Sequence, residues 1–389
     1  MNRIVILLAF ATFATGTAEN IIVGILPDVA SGHGVSIALA GQLTAIFSII
    51  FAVTAPIALI LTARVERKRL FLGALSLFII SNVAAAVSPN FTVMLVARGG
   101  MAMASATVCL LATMLATELV DDKMRGRAIG IIFMGISGSL VFGVPTGIVI
   151  TGIVGWRGVF VALATLAAAV WLVSWRSVPV SGRHRIALPG YMKHLREIPL
   201  AAGQLVSILM IGGHFVLFAF LAPYLVRVAG ITDGNVVLAF AALGIAGVSG
   251  GYFGGWLADR ISPRAAMLLT PSVYLVTLAT IPLLESMPWL MFAIMIVWAW
   301  VSWMISPVVQ SYLIAAGPDT AEAGISLNFS AMHIGVGMGT AIGGVTLAQL
   351  SVFALPWAGV LIATLAVLAA CTAVRSLKVG KQNAAAALR

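Results

Sequence analysis

Glu19, Asn20 and Asp28 lie within one apolar run that begins at Ile4. An ionised carboxylate at the centre of a membrane span costs about 2.5–3.5 kcal/mol on insertion scales. Burial penalises the charged form of any acid, so one kept in such a place can take up a proton on one side and release it on the other. Arg98 is the one basic residue inside a predicted span. A standing ion pair between Arg98 and Glu19 is the alternative reading, with Asp28, nearer the membrane interface, as the other possible partner for Arg98. Further polar groups stand in otherwise apolar stretches: His214 in "GGHFVLF", Gln310, Ser311 and Tyr312 in "VVQSYLI", and Asn328 and His333 in "GISLNFSAMHIGVG". Together with Glu19 and Asn20, the residues His214, Gln310, Tyr312, Asn328 and His333 are candidate solute contacts. Each also has a plainer reading as a satisfied packing residue. Trp298, Trp300 and Trp303 crowd one stretch and could stack on a flat solute.

The elements that must carry these groups are membrane helices. Of 389 residues, 61% are hydrophobic and 9% charged, against about 25% charged in a soluble protein. The length of the apolar runs predicts an all-α membrane protein rather than a barrel. The spans are expected at 4–29, 38–62, 70–88, 91–118, 128–151 and 158–175, then at 200–225, 236–258, 265–284, 289–314, 323–349 and 356–374. The N-terminal run resembles a signal peptide but continues far enough to span, so it is read as uncleaved. Basic residues cluster at 63–69, 121–127, 259–264, 176–199 and the tail. By the positive-inside rule these faces and both termini are cytoplasmic. The net charge of +10 therefore signals orientation, and no nucleic-acid partner is expected. Cys109 and Cys371 fall inside spans and indicate no disulfide framework.

The domains expected are a six-helix bundle at 1–175, a cytoplasmic linker at 176–199, a second bundle at 200–374 and a cytoplasmic tail at 375–389. The linker is basic and contains prolines, with a short amphipathic helix expected at its middle. His184 and His194 within it are expected to be solvated. "LILTARVERKR" follows the second span and "GGWLADRISPR" the eighth. An internal six-plus-six repeat of this kind is the pattern of a two-domain transporter.

Here the chain resembles the major facilitator superfamily, whose fold is twelve helices in two pseudo-symmetric six-helix bundles. "GGWLADRISPR" resembles its G-x-L-A-D-R-x-x-x-R loop through Gly255, Asp259 and Arg260. The first-half copy keeps Arg64, Arg67 and Lys68 but departs at Leu59, Ala63 and Glu66. "LVARGGMAMASA" resembles the fourth-span motif around a buried arginine, here Arg98. "GISGSLVFGVPTG" resembles the fifth-span motif of proton-driven antiporters, with Gly143, Pro145 and Gly147 matching. "ILPDVA", "ERKRLFL" and "SPVVQSYLI" are similar to bacterial purine base and nucleoside efflux pumps, with sugar efflux proteins as near neighbours.

The resemblance implies a proton-coupled efflux antiporter of the inner membrane, working as a monomer by alternating access. Its partners would be a small-molecule solute, protons and lipid, and it would need no cofactor. Glu19, with Arg98 and Asp28, would handle the proton. The fifth-span glycines would seal the interface between the halves on the periplasmic side, or simply pack tightly. Asp259 would latch onto the start of the fifth span near Arg127. The rival classes are a membrane enzyme and a channel. No H-E-x-x-H, P-loop or G-x-S-x-G stretch occurs, and a duplicated, latched pair of halves favours a carrier over a channel.

Overall fold

The structure, a computed structural model, describes residues 3–35, 37–40, 42–62, 65–180, 188–231 and 233–387. Among them all regular structure is helical. Eleven helices are long and apolar enough to cross a membrane, and Gln42–Ala58 is a shorter apolar one at the second expected span. Contacts divide the chain into two units. One comprises Met1–Asp122 with Ile131–Ala187; the other comprises Lys123–Gly130 with Leu188–Arg389.

The first unit contains α1 (Arg3–His33), α2 (Gln42–Leu61), α3 (Arg67–Ala86) and α4 (Phe91–Glu118). α5 (Arg125–Gly138) continues through a π-helical turn, Ser139–Gly143, into Val144–Val154, and α6 is Trp156–Ser177. α4 is the central helix, packed on α1, α2 and α3, and almost every residue from Ala104 to Thr117 is buried. Side chains start these helices. Glu66 accepts from the Lys68 amide at 3.0 Å, and Asn90 from the Val93 amide at 3.0 Å. Each satisfies a first-turn N–H that the helix cannot.

The second unit opens with the linker helix α7 (Leu188–Arg196), so the linker's helical part belongs to this unit. It continues with α8 (Ile198–Phe218), α9 (Asp233–Ile261), α10 (Pro263–Thr280), α11 (Pro288–Ala316), α12 (Ala321–Gln349) and α13 (Leu355–Ala387). α8 packs on α12 and α13, and α9 and α10 pack on α11. The expected seventh span breaks at Ala219 and Phe220 before a short helix, Leu221–Arg227. The segment expected as a tail instead prolongs α13 to Ala387; its alanine run is the best helix-forming composition available.

Candidate functional site

Arg98 projects from α4 and is completely buried. Its guanidinium donates to the Ala18 carbonyl at 2.6 Å, the Glu19 carbonyl at 3.4 Å and the Leu43 carbonyl at 3.4 Å. It also lies over the Phe47 ring, 4.5 Å from the centroid. The planar donor fork therefore ties α4 to the backbones of α1 and to Leu43 of α2 while the ring face absorbs charge. Glu19 and Asn20 are half-buried. The Asn20 amide donates to the Gly16 carbonyl at 2.9 Å and to Ser139 Oγ at 3.4 Å. Asp28 is exposed, and helical rise places it about 14 Å beyond Glu19 along α1. The structure thus brings Arg98 to Glu19 and not to Asp28.

The fifth-span glycines meet α1. A Cβ on Gly135 would strike the Ala9 carbonyl, one on Gly143 would strike Thr17, and one on Gly147 would strike Ile21. These absent side chains let two backbones approach within the first unit. Pro145 has no N–H for the preceding turn, and the helix widens into the π-turn just before it.

The expected Asp259 contact is formed. Its two carboxylate oxygens accept the amides of Gly126 and Arg127, each at 2.9 Å, and Arg127 Nε lies 3.8 Å away. These amides belong to the first turn of α5, where unsatisfied donors and the helix dipole favour an anion. The fit depends on glycine. A Cβ on Gly126 would come within 2.5 Å of Asp259 Oδ1, and one on Gly255 would overlap the Gly126 carbonyl. Arg260 is exposed. In the first-half copy, Arg67 is buried and paired with Glu118 of α4. Glu66, one of the positions where the first-half copy departs from the motif, caps α3, and Lys68 supplies the capped amide. Arg64 lies outside the described residues.

In the second unit four amide and hydroxyl side chains form a directed chain. The Gln204 amide donates to the Gly324 carbonyl at 2.8 Å, and a carbonyl can only accept. The Gln204 NH2 group therefore faces Gly324, with His194 Nε2 3.2 Å away, and Gln204 Oε1 accepts from Asn328 Nδ2 at 3.2 Å. Asn328 Nδ2 also donates to Ser207 at 2.8 Å, and Asn328 Oδ1 accepts from Gln310 Nε2 at 3.3 Å. Gln310 Oε1 is left as a buried acceptor with no hydrogen-bond partner among the described residues. Gln204 and Ser207 went unread in the sequence; their spacing of three, which places two polar groups on one face of an apolar helix, was the available signal.

His214 lies elsewhere, ten residues and about 15 Å further along α8. It is buried and stacked between Phe218 and Trp298, with centroids at 4.8 and 4.7 Å. His333 Nδ1 lies 3.1 Å from the Phe329 carbonyl of its own helix. The Tyr312 hydroxyl donates to the Ala373 carbonyl at 2.8 Å, joining α11 to α13. Of the second unit's five solute-contact candidates, Gln310 and Asn328 are therefore joined, while His214, His333 and Tyr312 have separate partners. The expectation of a solvated His194 is corrected. It is fully buried, with Nδ1 3.0 Å from Thr320 Oγ1, because α7 turns the face that carries Tyr191 and His194 inward while Met192 and Leu195 face out. His184 lies outside the described residues. Cys109 and Cys371 are free thiols.

Residues 8–323 match the Major Facilitator Superfamily. The chain belongs to that superfamily. It is 31% identical to the uncharacterized MFS-type transporter YbcL of Bacillus subtilis, over 93% of both chains. It is 25% identical to a probable sugar efflux transporter of Mannheimia succiniciproducens, over 95% of this chain and 94% of the other. A crystal structure of the Escherichia coli fucose:proton symporter FucP superimposes with a TM-score of 0.75 at 17% identity, covering 94% of this chain and 97% of that one. The chain is a multi-pass membrane transporter with the major facilitator fold, and it is not an enzyme.

Proposed function

We propose that this transporter exports small neutral solutes bearing hydrogen-bond donors, sugars first, in exchange for protons. It would act as a monomer in the inner membrane with both termini cytoplasmic, where the basic loops orient it. The carrying observation is a half-buried acid, Glu19, set beside a guanidinium fixed by three backbone carbonyls. A proton arriving at Glu19 cancels a charge next to one that does not move, which changes the electrostatics of the first bundle without rebuilding it.

Gln310 supports the solute class. Its remaining polar atom, buried like the rest of the side chain, is an acceptor, fixed so by the Gly324 carbonyl through Gln204 and Asn328. A solute meeting it must bring an O–H or N–H. Sugars and purines do; quaternary ammonium drugs do not. The purine reading rests on the loop resemblances alone, whereas the named efflux relative supports sugars. The Asp259 latch supports alternating access, because a loop carboxylate seated on a helix start is a contact that can open and close. The test is uptake into inverted proteoliposomes under an imposed pH gradient, with arabinose, adenine and tetraphenylphosphonium in parallel. Gradient-driven movement of arabinose or adenine alone supports the proposal. Movement of tetraphenylphosphonium alone overturns the solute class, and movement indifferent to the gradient overturns the coupling.

A further inference from the structure

The linker helix is attached to the second bundle by more than the covalent chain. Tyr191 and His194 lie one turn apart on α7, and both are buried. The Tyr191 hydroxyl donates to Ser326 Oγ at 3.3 Å, and Lys193 pairs at the rim with Asp319 at 3.4 Å. His194 is the plug. Its ring lies against Gly324, where a Cβ would come within 2.5 Å of Cε1. Its Nε2 accepts the Gln204 amide, so its proton sits on Nδ1 and is donated to Thr320 Oγ1.

That plug is the outer end of the chain Gln204, Asn328, Gln310. None of the three amides can reverse alone. Turning Asn328 over would set its NH2 against that of Gln310 and its oxygen against Gln204 Oε1. Turning Gln204 to compensate would set Oε1 against the Gly324 carbonyl and against His194 Nε2. Because all these groups are buried, an amide that leaves strands its neighbours without water to replace it. The chain holds or fails as a unit.

We propose that α7 is a detachable strap whose hold on the second bundle is set from inside that bundle, through Gln310 and Asn328 to His194. A change that withdraws either inner amide loosens the strap at its seat against Gly324, about one helical turn from Asn328 along α12. This device does not depend on which solute is carried.

The test is hydrogen exchange of the peptide 188–196 in the purified full chain in detergent micelles, for wild type, His194→Phe, Asn328→Leu and Gln310→Leu. His194→Phe keeps a ring and removes the hydrogen bonds, so exchange in 188–196 should rise. Asn328→Leu should raise it about fivefold or more, the lower end of ordinary coupling, with protection of α4 unchanged. Gln310→Leu removes the single inner bond and should raise it by a smaller factor. The proposal is overturned if His194→Phe leaves 188–196 as protected as wild type. It is also overturned if both inner variants leave it unchanged while His194→Phe releases it. Should Asn328→Leu lose protection throughout the chain, Gln310→Leu decides by the same criterion.

Discussion

Replacing Asp259 by asparagine should open the start of α5. The carboxylate accepts two backbone amides at 2.9 Å and faces Arg127. Asparagine offers one oxygen in place of two and turns an NH2 group toward the other amide. One charge-assisted bond is lost, worth about 1.5–3 kcal/mol, together with the charge on the helix start, worth about 0.3–1 kcal/mol. The sum, about 2–4 kcal/mol, is roughly a thirtyfold to several-hundredfold shift in the opening of that turn. Hydrogen exchange of the Gly126 and Arg127 amides reads this directly. Gly255→Ala should break the same contact sterically, because the new methyl would overlap the Gly126 carbonyl. The double variant should then be scarcely worse than either single one, since both remove one interaction. Amides at 126 and 127 as protected in Asp259→Asn as in wild type would refute the latch. Fully additive effects of the two substitutions would show that they act on separate contacts.

Three further outcomes are expected. Ser262 has φ 104°, a left-handed conformation that costs a side chain about 1–2 kcal/mol, while its cap on Ala265 is worth only a few tenths over glycine; Ser262→Gly should therefore stabilise the protein by up to about 1 kcal/mol after the entropy of the freer unfolded chain, and a lowered thermal midpoint would contradict this. Burial pushes His194 down to about 4, below its unfolded value of about 6.5. The unfolded state then binds the extra proton, so stability is full above about pH 6.5 and falls by up to about 3 kcal/mol as pH drops through that window to 4; His194→Gln should flatten the slope in thermal unfolding, and an unchanged slope would exclude this histidine as its source. Arg98→Lys exchanges a five-donor fork for a compact charge that cannot reach Ala18, Glu19 and Leu43 together. These carbonyls keep their own helical partners, so the loss is one or two charge-assisted bonds, which should destabilise the chain by about 2–5 kcal/mol, and a variant as stable as wild type would show that the clamp is dispensable.

The helices were legible because each is an apolar run of span length, and the Asp259 contact because a lone carboxylate in a repeated loop needs a helix start to face. Glu19 and Arg98 were legible as charges out of place. What resists reading is who meets whom across helices. Arg98 could be assigned an acidic neighbour from sequence, but its three backbone carbonyls carry no residue signature. Glu66 reads as a departure from the loop motif and acts as the cap of α3. His194 sits in a polar, basic segment, and only its spacing of three from Tyr191 hints that both face inward. The amide chain joins α8, α11 and α12, and its partners are separated by 120 residues or more in three of its links. The fifth-span glycines show the same limit: their spacing announces a close approach but not that α1 is the partner.

The most direct measurement compares wild type with Glu19→Gln for solute movement in proteoliposomes under an imposed pH gradient, after both proteins show equal thermal midpoints. Glutamine keeps the shape and removes the titration. The account predicts that gradient-driven movement falls to the level of empty vesicles while solute binding persists. Gradient-driven movement at the wild-type rate would contradict it, and would leave this transporter's energy source with another group.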